Sequence, residues 1–171
     1  MPKKKILLLL IPALLLAGFL FWSRPISFWK LTGADRAGVR SLSATTVTGG
    51  VNSGVPYHDS WQLESTPAED PVVLEFFDLM ASCSYVPSPV NLLPWDIHSV
   101  SAGEKIYGDH TVHIAFTWGE TGEHHAFVSY LGGKKLALSL PDEDGYLVYR
   151  PVDKDLADRL GEFIEEHGIP S

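Results

Sequence analysis

The feature that most constrains the fold is a set of three short segments in which apolar and polar residues alternate. These segments cover 111–118, 124–131 and 135–140, and they are rich in β-branched, aromatic and aliphatic residues. Alternation with a period of two is typical of strands that bury one face. Gly132-Gly133, between the second and third segments, favours a two-residue hairpin turn. The pattern therefore predicts an antiparallel sheet.

The same turn predicts how the strands pair, because it places Phe127 opposite Leu138. A two- or four-residue turn over 119–122 adds the first strand to the sheet. Register is well specified where one face is this apolar. The predicted core face then consists of Val112, Ile114, Phe116, Trp118, Phe127, Leu131, Leu136, Leu138 and Leu140.

Further strands are predicted from composition. Residues 39–47 and 57–63 have the β-branched and aromatic content of strands, and 146–150 have that of another. Gly49-Gly50 marks a loop between the first two of these strands. With the alternating segments, they give a sheet of about four to five strands.

Two helices are predicted from capping residues and apolar stripes. Asp70 is the N-cap of the first, with Pro71 at its first helical position. Its stripe consists of Val73, Phe76, Phe77 and Met80. Asp153 caps the second, whose stripe consists of Leu156, Leu160, Phe163 and Ile164. The predicted class is α+β, with both helices on one face of the antiparallel sheet.

The N-terminal segment has the features of a membrane anchor. Three lysines at 3–5 precede an apolar run over 6–22, which is 17 residues long. As a helix, this run is about 25 Å long, within the range accepted for a hydrocarbon core of ~30 Å. It exceeds the ~7–15-residue apolar core of a cleaved signal peptide, and no A-x-A site follows closely. We predict an uncleaved transmembrane helix, with cleavage as the alternative.

An anchor divides the chain into four parts. Residues 1–5 are predicted to be a cytoplasmic tail, because short basic segments stay in the cytoplasm. Residues 6–22 are the anchor, with the lipid bilayer as partner, and 23–37 are a juxtamembrane linker. Residues 38–171 form the predicted extracytoplasmic α+β domain. The predicted location is the cell membrane, with a single pass.

Charge and cysteine content exclude several classes of protein. The chain has 21 Asp and Glu against 13 Lys and Arg, a net charge of -8. This balance does not suit a protein that follows phosphate backbones, so no nucleic-acid partner is predicted. The single cysteine, Cys83, excludes an internal disulfide and a Cys-rich zinc site. It lies at the C-terminal end of a predicted helix, where the dipole disfavours the thiolate of a nucleophile.

Four clustered histidines are the strongest metal-ligand candidates. His110 and His113 form H-x-x-H, and His124 and His125 are adjacent. Neighbours on a strand point to opposite faces. The predicted hairpin places His124 ~13–20 Å along the sheet from His113, whereas zinc needs its ligands at ~2.0–2.1 Å. We therefore predict surface histidines and neither a metal nor another cofactor. The acidic turn over 142–144 lacks the spacing of a calcium loop.

The polar face of the predicted sheet is the candidate contact surface. Trp95 adjoins it in a proline-rich loop, where an aromatic residue either anchors a partner or plugs the end of the core. The candidate contact residues are His113, Thr117, His124, Tyr130 and Trp95.

These observations favour a membrane-anchored binding, sensory or accessory module without catalytic activity, with an envelope or membrane protein as its partner. The alternative is a metal-assisted or histidine-based hydrolase at the cell envelope. It would use His113, His124 or His125 with a carboxylate in hydrogen-bond reach. A third hypothesis is pH sensing, since the seven histidines gain charge below about pH 6.5.

Overall fold

The computed structural model describes residues 3–52, 55–67, 69–92, 110–131, 135–140 and 145–171, with side chains except at 3–10, 50–52, 55–57, 64–67 and 131. The helices are α1 (Lys3–Trp22), α2 (Phe28–Thr32), α3 (Pro71–Ala81) and α4 (Leu156–His167). The strands are β1 (Ile26–Ser27), β2 (Val39–Asn52), β3 (Val55–Pro67), β4 (Ser84–Pro87), β5 (Thr111–Trp118), β6 (His124–Leu131), β7 (Lys135–Ser139), β8 (Leu147–Pro151) and β9 (Ile169–Pro170). A 3-10 turn spans Pro89–Leu92.

All nine strands form one antiparallel sheet in the order β1-β4-β8-β7-β6-β5-β2-β3-β9. The described part of the chain is mostly sheet with four helices, so the predicted α+β domain with four to five strands and two helices is wrong. One reason is that β2 continues through Gly49-Gly50, the predicted loop. Another is that β1, β4 and β9 are too short to show any periodicity in the sequence.

Helix α3 forms as predicted. The Asp70 carboxylate accepts a hydrogen bond from the Val72 backbone N–H at 2.8 Å, and Pro71 occupies the first turn. The helix ends at Ala81, with Ser82 as its C-cap. Its buried side chains are Val73, Phe76, Phe77 and Met80. Each contributes on the order of 1.5–3 kcal/mol of burial free energy, which fixes this helix to the sheet.

Helix α4 confirms the predicted stripe, but its N-cap lies two residues after the predicted one. Asp155 occupies the N-cap position, and the Asp153 carboxylate accepts a hydrogen bond from the Asp155 backbone N–H at 3.0 Å. Asp153 therefore orders the approach to the helix. The buried residues include Leu156, Leu160, Phe163 and Ile164.

The register of the central sheet differs from the prediction by one residue. Phe127 lies opposite Ser139, where the two-residue turn places it opposite Leu138. A shift of one residue moves every side chain of a strand to the other face. Accordingly, Phe127 is 52% exposed, and its predicted place in the core is wrong.

The loops explain this register. Trp118 pairs with His124, and Leu131 pairs with Lys135, so each connection holds an odd number of residues. Even-numbered residues of all three strands therefore share the core face. The β6 side chains on that face are fully buried: Ala126, Val128 and Tyr130.

The core lies between this face of the sheet and the helices α2, α3 and α4. Phe28 of α2 is fully buried, and its ring centroid lies 5.9 Å from that of Phe116. Leu31 of α2 also belongs to the core. The segment 23–37, assigned to a linker from the sequence, thus contains β1 and α2 and contributes core residues.

The predicted anchor is corrected by the structure. In the part of the chain that the structure describes, no helix combines the length and the apolar character that crossing a membrane requires. The predictions of a transmembrane signal-anchor over 6–22 and of a single-pass membrane location are therefore contradicted.

Candidate functional site: the open face of the sheet

The helices cover one face of the sheet, and the other face is the candidate site. Buried side chains of β2 and β5, such as Leu42 and Ile114, point to the helices. Their strand neighbours point away from the core. We call this second surface the open face, and it consists of Ser41, Ser43, Thr45, His113, Ala115, Thr117, His125, Phe127, Ser129, Lys135, Ala137, Ser139, Val148 and Arg150.

Phe127 lies near the centre of the open face. Ala115 of β5 and Ser139 of β7 are its cross-strand partners, so small side chains stand on both sides of the ring. The His125 ring meets it edge-on, with centroids 5.7 Å apart. Burying a phenylalanine contributes on the order of 1.5–3 kcal/mol. About half of the Phe127 side chain is still exposed, so its burial by a partner can contribute part of that free energy to binding.

His113 and Ser129 form a cross-strand pair beside Phe127. The His113 Nδ1 and Ser129 Oγ atoms are 2.9 Å apart. Thr45 of β2 lies opposite His113 on its other side. Partial desolvation by these neighbours lowers the pKa of His113, so its neutral form is favoured. This pair offers a partner a hydrogen-bonding group whose orientation is already fixed.

Thr117 continues the polar surface at the β5–β6 end. Its Oγ1 lies 2.8 Å from Ser41 Oγ. In the adjoining loop, the Glu123 carboxylate accepts hydrogen bonds from the Thr121 backbone N–H and hydroxyl at 2.9 and 3.0 Å. Hydrogen bonds from its own backbone N–H and from Thr121 lower the pKa of Glu123 to about 2. The loop is thereby tied into the conformation that sets the register of β6.

The structure separates the five contact residues predicted from sequence. His113 and Thr117 lie on the open face. His124 lies on the opposite face, with its ring 5.5 Å from that of Trp118, and Tyr130 is fully buried. Trp95 lies outside the described residues. Alternation placed the β5 residues on the correct face. The one-residue register shift puts the β6 residues on the face opposite to the predicted one.

The buried tyrosine Tyr130 has a structural partner. Its hydroxyl lies 2.7 Å from that of Tyr85, which donates to the Met80 carbonyl at 3.0 Å. The single proton of Tyr85 is thus committed to Met80, so Tyr130 donates to Tyr85. Burial raises the pKa of both phenols above their usual range. The pair stabilises the neutral core and takes no part in the open face.

Cys83 is buried in the same region. Its thiol lies 3.2 Å from the Ser84 carbonyl oxygen, and the Asp153 backbone N–H donates to its sulfur at 3.5 Å. These contacts tie the end of α3 to the approach of α4. They fit the small buried thiol predicted from the helix position, because a buried cysteine acts mainly as a packing residue.

His110 is the histidine that meets carboxylates, which sequence reasoning missed. Its Nδ1 lies 3.2 Å from Asp158 Oδ1, and its Nε2 lies 3.1 Å from Glu165 Oε1. The ring packs on Gly161 of α4, where a Cβ atom would collide with it. Asp158 and Glu165 are seven residues apart, about two helical turns, so they lie on one side of α4. The spacing of these two carboxylates is the sequence signal that could have indicated the site. The contact with His110 holds the start of β5 against α4.

The positions of the histidines give little support to a metal site or to a hydrolase. Among the described residues, no group of three or more His, Cys, Asp or Glu side chains is arranged to hold a metal ion. Of the three histidines considered for a hydrolase, His113 and His125 share the open face, and His124 lies on the other. His124 Nε2 is 3.9 Å from Glu123 Oε1, beyond hydrogen-bond distance.

The fold and the site define an antiparallel sheet with one face backed by helices and one face open. Comparison of the chain with protein-family models, curated proteins and solved structures gives no match.

Proposed function

We propose that this protein is a non-catalytic binding module that contacts a partner protein through the open face. The observation that carries the proposal is Phe127, a large apolar side chain that is 52% exposed among small and hydroxyl-bearing residues of a central strand. Protein interfaces commonly combine an aromatic anchor with a polar surround.

The neighbours of Phe127 support this role. Ala115 and Ser139 leave room on both sides of the ring for side chains of a partner. His113 and Ser129 supply polar atoms held in place by their mutual contact. A surface whose groups are already ordered loses little conformational entropy on binding.

The test compares two substitutions at equally exposed positions. Immobilised wild-type chain, Phe127→Ser and Ile169→Ser are incubated with an extract of the cells that make the protein. Ile169 is 53% exposed in β9, at the edge of the same face of the sheet, because it pairs with Gln62, which pairs with Thr45. It lies four strands from β6, about 19 Å at ~4.8 Å per strand. We expect a protein that wild type and Ile169→Ser retain and Phe127→Ser loses. Equal retention by all three, or none by wild type, would contradict the proposal.

The hydrolase alternative rests on one observation, the 2.9 Å contact between Ser129 Oγ and His113 Nδ1. A neutral imidazole can act as general base toward a serine hydroxyl. The discriminating measurement is hydrolysis of an activated ester by wild type and Ser129→Ala. Loss of a measurable rate in the variant would favour the hydrolase, and equal rates would exclude this pair as its catalytic groups.

A further inference from the structure

The five contiguous strands around Phe127 carry no carboxylate, although the chain is acidic; β3, next along the sheet, contains Asp59 and Glu64. β2, β5, β6, β7 and β8 contain no Asp or Glu, whereas the chain has 21. Acidic side chains are instead frequent on the helices that back the sheet: Glu75, Asp78, Asp158, Glu162, Glu165 and Glu166. The open face thus differs in charge from the helical side of the molecule.

The ionisable groups on the open face are basic. Two histidines flank Phe127. His113 lies on the neighbouring strand β5, and His125 lies two residues before Phe127 on β6. Lys135 is the first residue of β7, and Arg150 is the second-last residue of β8.

Among the described residues, the cross-strand partners of the two histidines are uncharged. Thr45 and Ser129 lie opposite His113, and Thr117 lies opposite His125. A carboxylate brought to either ring would therefore meet no like charge among these neighbours. The surroundings of Phe127 favour a ligand that is both apolar and anionic.

Resting on the proposed function, we propose that the partner presents an acidic polypeptide segment. An apolar side chain of this segment packs on Phe127, and its carboxylates accept hydrogen bonds from His113 and His125. A carboxylate placed beside His113 favours the protonated ring and so opposes the desolvation that lowers its pKa. Hydrogen bonds between imidazolium and carboxylate are charge-assisted and are about twice as strong as neutral ones.

The net charge argues for a peptide over a denser polyanion. At -8, the protein repels the continuous charge of a nucleic acid or an anionic membrane surface. Nucleic-acid sites also rely on clustered Lys and Arg, whereas the ionisable side chains next to Phe127 are histidines. A short segment with few carboxylates experiences less of this repulsion and still meets the open face.

The test measures binding of three short fluorescent peptides by polarisation, using the full chain. In these peptides Leu alternates with Glu, with Gln or with Lys. We expect the Glu peptide to bind at least about tenfold more tightly than the other two, and more tightly at pH 5.5 than at pH 7.5, since protonated histidines attract carboxylates. High salt should weaken this preference. Equal binding of the Glu and Gln peptides would overturn the proposed charge recognition.

Adjacent histidines provide a matched control. His125→Gln should reduce the preference for the Glu peptide severalfold, and Phe127→Ser should reduce binding further. His124→Gln, on the opposite face, should leave both unchanged. An equal effect of the two histidine variants would place the peptide elsewhere and overturn the inference. If Phe127→Ser loses a captured protein while no preference for Glu appears, the binding function stands and the acidic partner does not.

Discussion

Two substitutions in the buried tyrosine pair should have unequal costs. Tyr130 donates to Tyr85, and Tyr85 donates to the Met80 carbonyl. Tyr130→Phe removes one donor and leaves the Tyr85–Met80 hydrogen bond intact. Tyr85→Phe removes the only acceptor that the structure gives to the Tyr130 hydroxyl, which then lies buried without a partner among the described residues. The order of the chain of hydrogen bonds therefore determines which variant is the less stable.

The expected free energies follow from this asymmetry. Loss of one neutral hydrogen bond costs about 0.5–1.5 kcal/mol, the value we expect for Tyr130→Phe. Tyr85→Phe adds the desolvation penalty of an unpaired hydroxyl, about 1–3 kcal/mol, giving a total of about 2–4 kcal/mol. The double variant removes the unpaired hydroxyl as well. It should therefore be more stable than Tyr85→Phe alone, by about 1–2 kcal/mol.

Urea unfolding and thermal unfolding, both followed by circular dichroism, measure these differences. At ~2–4 °C per kcal/mol, Tyr130→Phe should lower Tm by about 1–6 °C and Tyr85→Phe by about 4–16 °C. Two results would refute the reasoning: Tyr130→Phe costing as much as Tyr85→Phe, or a double variant less stable than Tyr85→Phe.

Three further predictions concern other parts of the molecule. Gly161→Ala should cost about 1–3 kcal/mol in urea unfolding, because the added methyl displaces the His110 ring; the cost should shrink in a His110→Ala background, and an unchanged cost there would locate the clash elsewhere. Thr46→Val should stabilise the protein by about 1 kcal/mol, because the buried Thr46 hydroxyl has no partner among the described residues; destabilisation would reveal one. His113 has a lowered pKa in the fold, so the unfolded chain binds its proton first as pH falls below the ordinary value of 6.5. Stability should therefore decline on acidification, and His113→Gln should weaken that decline, as melting curves from pH 7.5 to 5 would show; parallel curves would contradict this.

Local signals predicted the elements that local interactions form. Asp70 and Pro71 start α3, and the bounds of β5 and β6 match the alternating segments. The two-residue strands β1 and β9 were missed, because their pairing depends on partners far away along the chain. Ile26 pairs with Tyr85, 59 residues away, and Pro170 pairs with Trp61, 109 residues away. Such pairs leave no periodic pattern to detect.

The candidate site was only half predictable for a related reason. Both faces of β6 carry apolar residues, Phe127 on one and Val128 on the other, so alternation alone does not choose between them. The choice depends on loop lengths and on the hydrogen bond between Tyr130 and Tyr85. His113 was placed correctly because β5 has a single apolar face.

The measurement that most directly tests binding through the open face is site-specific photo-cross-linking in the cells that make the protein. A photoreactive phenylalanine analogue replaces Phe127 in one variant and Ile169 in the other, two side chains of nearly equal exposure. We predict a discrete cross-linked protein at 127 and none at 169. The same products at both positions, or none at 127, would contradict a binding site centred on Phe127 of the open face.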